Sequence, residues 1–374
     1  MRILQLVSCR GWSSDAYWAV RVARELERRG HHVTLGCRVG TDAKVIARAR
    51  REGVERVTTF EFAGGFEPTR DVDDVRRLGA ALADADVVHV HRGKEHWLAA
   101  VASRLCPTPR PIVRTRHIVQ AVRPHAGNRW LYGRATALVV TVTEAIRKQY
   151  IASGLLPPDR VVTLPGGADV ERYRPLPENP DVRRRLGGDP RVPLLGLVSG
   201  LRVMKGHGFV IEAAARLRAQ GLRVHVTFVG QGSQESAIRA AVERAGLGSQ
   251  ITLAGFVEDL PVAMAAFDVA LYVPIESEGM SRVVFEYLAA GRPLIASRVG
   301  VVPEVLVDGE HAVLVPAGDP DALAGALTRV VGDAPLRERL AESGRRLVLE
   351  RFSGARLAEA LERHYARLLS SGPR

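Results

Sequence analysis

Three consecutive pieces of the first 37 residues decide the fold class: the apolar run Arg2-Ile-Leu-Gln-Leu-Val7, the stretch Asp15-Ala-Tyr-Trp-Ala-Val-Arg-Val-Ala-Arg-Glu-Leu-Glu-Arg-Arg29 with Gly30 behind it, and the run His32-Val-Thr-Leu-Gly-Cys37. The middle piece puts Ala16, Ala19, Val20, Ala23 and Leu26 on one helical face, and Gly30 supplies the stop. The flanking runs are short, β-rich and apolar, so the order is strand, helix, strand. The same alternation continues, with strands expected near 57–61, 86–91, 111–115, 137–142 and 160–164. After a proline-rich interval a second series is expected near 194–199, 223–229, 250–253, 268–273, 293–297 and 312–315, and two more helices close the chain after residue 333. Repeated βα units predict an α/β fold of two tandem doubly wound parallel-sheet domains facing across a cleft, because ligands bind at the carboxyl ends of parallel strands.

Composition agrees. The chain has 374 residues, 46% apolar and 25% charged, which suits two domains with separate cores and excludes disorder. No apolar run approaches the ~18 residues of a spanning helix, which excludes an integral membrane protein. Residues 1–7 read as a buried strand rather than a signal peptide, so a cytoplasmic protein is expected. Cys9, Cys37 and Cys106 are widely spaced and form no C-x-x-C pair, which points to three small core residues rather than a disulfide framework or a zinc site. Residues 165–193, with Pro165, Pro175, Pro177, Pro180, Pro190 and Pro193, read as a linker and a short polar connection.

Charge is divided unevenly. Residues 1–165 hold 27 Lys and Arg against 16 Asp and Glu, and the rest of the chain holds 26 against 25. Residues 96–143 contain no acid at all, yet contain Arg104, Arg110, Arg114, Arg116, Arg123, Arg129 and Arg134. The preference for arginine over lysine explains the kind of cation but not the missing acids, so an anionic partner is expected for this half. The segment Arg123–Arg134, which mixes cations with Trp130, Leu131 and Tyr132, fits either peripheral contact with an anionic membrane surface at its inner face or a helix packed by Trp130 on its own domain. Nucleic acid is not expected, since no reading motif or stacking sheet is present.

In the second half, a buried strand runs into Pro274-Ile-Glu-Ser-Glu278-Gly-Met-Ser-Arg-Val-Val-Phe-Glu286. Gly279, Met280 and Ser281 would offer backbone N–H groups at a helix N-terminus, a place for a phosphate. Glu278 and Glu286 flank it and suit hydroxyl groups, whose protons they can accept. Sugar hydroxyls on either side of a phosphate describe a nucleotide sugar. The structural alternative makes Glu278 a helix-start acid and Glu286 a solvated helix residue. A second anion site is expected in Ser199-Gly-Leu-Arg202-Val-Met-Lys205-Gly-His207, with the turn Gly230-Gln-Gly232 at the same edge and Gly255-Phe-Val257 presenting backbone groups to a base.

Glu278-x7-Glu286, Lys205-Gly206, Gly291-x-Pro293 and Val302-Pro303-Glu304-x3-Asp308-Gly309, with Gly30-His31 and Pro165-Gly-Gly-Ala-Asp169 in the first half, together resemble the family-4 retaining glycosyltransferases of the GT-B fold. The resemblance covers essentially the whole chain. It implies two Rossmann-like domains: an acceptor-binding one over 1–165, joined by a terminal helix at about 352–374, and a nucleotide-sugar-binding one over 166–351. It implies Glu286 on the ribose, Glu278 on the donor sugar, Lys205 on the diphosphate, amides of Gly279, Met280 and Ser281 beside it, and no metal or other cofactor beyond the nucleotide sugar as co-substrate. It also implies His117, at a strand end, facing donor sugar and acceptor, with Arg116 beside it and Gly11, Ser13 and Ser14 on the acceptor side.

Two departures stand out. Gly200 occupies the place of the family's diphosphate-binding arginine, with Arg202 a candidate replacement, and Ser13-Ser14 replaces a Gly-Gly pair. His89 is expected to be structural and His91 a cleft candidate, the two pointing to different sides of their strand and so not sharing a metal. The implied activity is transfer of a sugar to a hydroxyl of a glycan or lipid-linked acceptor in cell-envelope polysaccharide or lipopolysaccharide synthesis. A nucleotide-sugar epimerase and a non-catalytic sugar-nucleotide binder are the rival classes.

Overall fold

All the expected strands form, in a computed structural model that describes residues 1–276 and 281–371, and no strand bound differs from its expected place by more than two residues. The first sheet contains β1 (Arg2–Val7), β2 (His32–Arg38), β3 (Val57–Phe60), β4 (Val87–Val90), β5 (Ile112–Arg116), β6 (Thr136–Thr141) and β7 (Val161–Thr163), in the order β3-β2-β1-β4-β5-β6-β7. The second contains β8 (Leu194–Val198), β9 (His225–Val229), β10 (Ile251–Gly255), β11 (Val269–Tyr272), β12 (Leu294–Ser297) and β13 (Val313–Val315), in the order β10-β9-β8-β11-β12-β13. Every neighbouring pair is parallel. In each sheet the direction of winding reverses beside the first strand, β1 or β8, and loops that diverge at such a point open a crevice.

Parallel strands must be covered on both faces, and the alternation of side chains along a strand does this. Leu194, Ala270, Leu294 and Leu314 enter one core with Phe285 and Leu288 of the helix Arg282–Ala289. Their neighbours Leu195, Leu271, Ile295 and Val313 enter the opposite core with Val210 and Leu217 of the helix His207–Ala219 and Leu323 and Leu327 of the helix Pro320–Gly332. Each such Leu, Ile, Val or Phe side chain contributes roughly 1.5–3 kcal/mol by leaving water.

The chain divides into two compact units, Met1–Gly166 with the terminal helix Gly354–Ser370, and Gly167–Ser353. The terminal helix buries Leu357, Leu361 and Tyr365 in the first unit, where the Tyr365 hydroxyl meets Nδ1 of His89 and Glu362 pairs with Arg29. In the first unit the helix Ser14–Arg28 buries all five residues of the expected apolar face, and Gly30 ends it at φ +85°.

The proline-rich interval departs from the expectation of a linker. Ala168, Tyr173 and Leu186 are buried in the second unit's core, Ala168 bridges Ser353, and Pro180–Arg185 is a helix started by the Asn179 side chain. Arg183, 4% exposed, donates to the carbonyls of Ala266 and Val192 and pairs with Asp268. Polar composition concealed this because the guanidinium satisfies backbone groups that a loop would leave to water. Cys9 and Cys37 are core residues as expected, whereas Cys106 is only half-buried at a helix end.

Candidate functional site

In the second unit the expected donor segments meet at the carboxyl ends of β8, β9 and β11. The segment after β8 makes one 3-10 turn, Val203–Lys205, and reverses at Gly206, whose φ of +79° and approach to Val273 leave no room for a side chain: a Cβ would lie 1.9 Å from the Val273 carbonyl oxygen. The Ile275 N–H then donates to the Met204 carbonyl at 3.0 Å. Lys205, half-buried, is thereby tied to the loop that leads toward Glu278. Glu278, Gly279 and Met280 themselves lie outside the described residues. Ser281 stands in extended conformation as the residue that opens the helix Arg282–Ala289.

Gly230 and Gly232 are used by the protein's own backbone. A Cβ on Gly230 would lie 2.0 Å from the Ser199 carbonyl oxygen, and one on Gly232 would lie 2.3 Å from that of Leu201. The turn after β9 is thus laced to the turn after β8, with Leu201 N–H donating to the Gln231 carbonyl at 3.1 Å and Gly230 N–H donating to the Gly255 carbonyl at 2.8 Å. Val257 is half-buried beside that last turn and Phe256 is 69% exposed. At Gly200, where a family arginine is missing, a Cβ would sit 3.5 Å from Nε and 3.8 Å from Nη2 of Arg202. The Arg202 guanidinium therefore lies over the vacant position.

Glu286 is not the solvated helix residue of the structural alternative. It is 1% exposed, and its Oε1 is 3.5 Å from Nε of Arg282 one turn earlier. Arg282 is a partner that sequence reasoning missed, although the i,i+4 spacing signals it. Behind them the Tyr287 hydroxyl accepts from the Val198 N–H at 2.6 Å, which fixes the helix to β8. His207 is buried against Phe228 and bonded to Ser199 Oγ at 3.2 Å, and burial pushes its pKa down to about 4.

In the first unit the ends of β1, β4 and β5 carry a polar network built from side chains. His89 and His91 do not point to different sides: residues two apart share a strand face, and their rings stack with centroids 4.7 Å apart. His89 is structural, bonded to Tyr365 and to Thr115 Oγ1 at 2.6 Å. His91 reaches His117, with Nδ1 3.1 Å from Nε2 of the latter. The proton positions follow from Gln5, whose Nε2 donates to the Ala19 carbonyl at 2.9 Å and faces His91 Nε2 at 3.2 Å. An amide nitrogen only donates, so His91 holds its proton on Nδ1, whose N–H donates a hydrogen bond to His117 Nε2, and neutral His117 carries its own proton on Nδ1. Trp18 braces all three rings edge-on. Burial, with the charges of Arg114 and Arg92, holds the His117 pKa below its ordinary value, so the ring is neutral near neutral pH. Among the described residues no group of three or more His, Cys, Asp or Glu side chains is arranged to hold a metal ion.

The remaining acceptor-side residues divide. Gly11 and Ser13 line a cavity of about 420 Å³ with Ser8, Trp12 and three arginines, Arg10, Arg38 and Arg92, which the sequence reading did not single out. Ser14 is the first residue of the helix beside it. Arg116 instead turns back to donate to the Gln120 carbonyl at 2.6 Å. Of the acid-free stretch, Arg104 and Arg110 likewise donate to carbonyls of their own unit, Arg134 and Leu82 among them. Trp130 stacks on Trp97 at 5.7 Å, and Leu131 and Tyr132 are buried, so the aromatic part of Arg123–Arg134 is packed on its own domain.

Comparison with known proteins bears on the family and the fold. Residues 16–172 match the model of glycosyltransferase family 4, and residues 192–333 match that of glycosyl transferases group 1. A D-inositol 3-phosphate glycosyltransferase of Geodermatophilus obscurus is 30% identical over 93% of this chain and 83% of its own. A 2-deoxystreptamine glucosyltransferase of Streptomyces kanamyceticus is 28% identical over 76% and 78%. An Anabaena protein crystallised with UDP and glucose shares the fold, with a TM-score of 0.80 at 20% identity over 98% of this chain and 99% of that one. Two Rossmann-like units, both matched by glycosyltransferase models, and a 30% identical relative covered over most of its length make this chain a member of the family-4 glycosyltransferases of GT-B fold.

Proposed function

We propose that the second unit holds a nucleoside diphosphate sugar and that the enzyme transfers its sugar, with retention at the anomeric carbon, to a hydroxyl of a glycan or lipid-linked acceptor held by the first unit, in cell-envelope polysaccharide or lipopolysaccharide synthesis. The observation that carries this is the hydrogen bond from Ile275 to Met204, which joins Lys205 to the segment containing Glu278 and Glu286. As the diphosphate departs, negative charge grows on its oxygen, and cations and helix-end amides already aimed there lower the barrier. Lys205 supplies one cation, and Arg202, lying over Gly200, supplies the one the family places at that position. With these charges no metal is needed. Glu286 accepts from the ribose hydroxyls and Glu278 from the donor sugar. The Nδ1–H of His117 donates to a sugar hydroxyl. A neutral imidazole with a depressed pKa takes up no proton near neutrality, so the acceptor proton goes to a leaving phosphate oxygen. The Anabaena structure in complex with UDP and glucose supports a nucleoside diphosphate donor without choosing the base. The names of the relatives include acceptors as unlike as an inositol phosphate and 2-deoxystreptamine, so they do not choose the acceptor. With the aromatic residues of Arg123–Arg134 packed inward, only its cations are left to meet a membrane surface.

Thermal stabilisation by UDP, GDP or ADP selects the base, and the matching sugar donors then give a product whose anomeric configuration is read by NMR. Retention, activity undiminished by EDTA, and a Lys205→Ala rate lower by on the order of 10²–10³ are expected. Inversion, or stabilisation by no nucleoside diphosphate, overturns the proposal.

A further inference from the structure

The cavity at the switch point of the first sheet is lined by three guanidiniums and no unused carboxylate. Arg10 follows β1, Arg38 ends β2, and Arg92 follows β4. Two acids touch the lining residues, and both are already taken: Arg92 and Ser13 donate to Asp15, and Ser8 and the Arg92 N–H donate to Glu95. Burial raises the Asp15 pKa, but its hydrogen bonds from Arg92 and Ser13 win and hold it down at about 2. Arg10 and Arg38 have no hydrogen-bond or ion-pair partner for their side chains among the described residues. Like charges gathered in a partly enclosed space repel one another, and an anion is what such a space stabilises.

The arginines are also held in place. A Cβ on Gly64 would lie 2.8 Å from Nη2 of Arg10, so the guanidinium rests on that glycine's backbone. The loop that presents Gly64 contains Phe62 at φ +39°, a left-handed conformation rare for such a residue, and it is pinned by buried Asp74, which accepts from the Glu61 and Phe62 N–H groups at 2.8 Å each. On the other side Trp12 is fixed between Tyr17, edge-on at 6.3 Å, and Arg48, 4.9 Å from its ring centroid. The helix Ser14–Arg28 begins at the same cavity and adds its N-terminal partial charge.

The geometry points to an acceptor that carries a phosphoryl group, seated on Arg10, Arg38 and Arg92. A planar carboxylate is satisfied by one arginine fork, whereas three forks from three strand ends match the several oxygens of a phosphate. A cationic acceptor is disfavoured by the same charges. This inference rests on the glycosyl-transfer proposal above and adds the chemical class of its acceptor.

The test is calorimetric titration of the full chain with inorganic phosphate, glucose 6-phosphate, glucuronate and glucose, in the presence of a saturating nucleoside diphosphate that occupies the donor site. Glucose 6-phosphate is expected to bind more tightly than glucuronate, and glucose not measurably. The double variant Arg10→Gln, Arg38→Gln removes only side chains without partners and keeps the fold by circular dichroism. It should weaken sugar-phosphate binding about tenfold or more, with nucleotide affinity unchanged. Equal binding of all probes, no binding of the sugar phosphate, or binding insensitive to the double variant overturns the assignment. Binding of inorganic phosphate alone makes the cavity a free-phosphate site and also overturns it. A parallel loss of nucleotide affinity in the variant overturns it by giving the arginines to the donor. Failure of every nucleoside diphosphate to bind the wild type would instead remove the donor proposal and leave the phosphate titration as a separate result.

Discussion

The two units solve the same problem, holding polar groups at the carboxyl ends of parallel strands, with different materials. The second unit does it with backbone. Gly206, Gly230 and Gly232 let turns approach so closely that any side chain would overlap a carbonyl oxygen, and the cations Lys205 and Arg202 ride on turns that cannot shift. The first unit does it with side chains. Gln5, His91 and His117 form a hydrogen-bonded series, Glu95 accepts from Ser8 and from the His91 and Arg92 N–H groups, and arginines fill the space in front. A site made of backbone resists substitution and suits a constant ligand part such as a diphosphate. A site made of side chains can be respecified residue by residue, which suits a variable acceptor.

Substitutions at glycine sharpen this contrast most. Gly206→Ala must both strain its backbone and displace the Val273 carbonyl, so a loss of about 3 kcal/mol or more in stability and loss of nucleotide binding are expected. Chemical denaturation and nucleotide titration measure the two, and a variant with wild-type values would break the contrast.

Acid should separate the units next. Burial holds the pKa of His89 at about 3 and those of His91 and His96 well below the usual value, all in the first unit. Unfolded histidines take up protons as pH falls through ~6.5 while these do not, so their contribution to stability is complete above that pH and declines toward pH 3, by about 1.4 kcal/mol per unit for each group. The second unit holds His207, whose pKa burial lowers to about 4, and His225, which burial also lowers. Trp12, Trp18, Trp97 and Trp130 all belong to the first unit, so tryptophan fluorescence follows that unit alone. On acidification the fluorescence transition should precede the circular dichroism transition. Coincident curves would show that the buried histidines do not set the order.

Glu286→Gln keeps the shape of a buried side chain and removes its charge. Nucleotide affinity should fall about tenfold while the phosphate titration of the first unit is unaltered. The smallest effect is expected at Gly11, where a Cβ would meet nothing within 4 Å. Gly11→Ala should stay within about 0.5 kcal/mol of wild type, and a large loss there would mean that the first edge also depends on backbone.

Much of this was legible before folding. Strand and helix periods located the sheets, and Glu278-x7-Glu286 with Lys205-Gly206 carried the resemblance to the family. What escaped were relations across the chain. Arg10, Arg38 and Arg92 come from three separate strand ends and share no spacing. The burial of Ala168 and Tyr173 was hidden by the prolines around them. Arg202 over Gly200 depends on a turn whose course no local rule gives. Arg282 and the shared face of His89 and His91 were local facts, available from helical and strand periods, and were overlooked.

Sequence alone determined the periodic elements and the chemistry of short segments, because hydrophobic repeat and side-chain type act within a few residues. Tertiary structure decided which cations lack partners, which glycines are obligatory and which histidine holds which proton. Those outcomes depend on groups brought together from strands tens of residues apart, where excluded volume and desolvation, which a linear pattern does not encode, select among side chains.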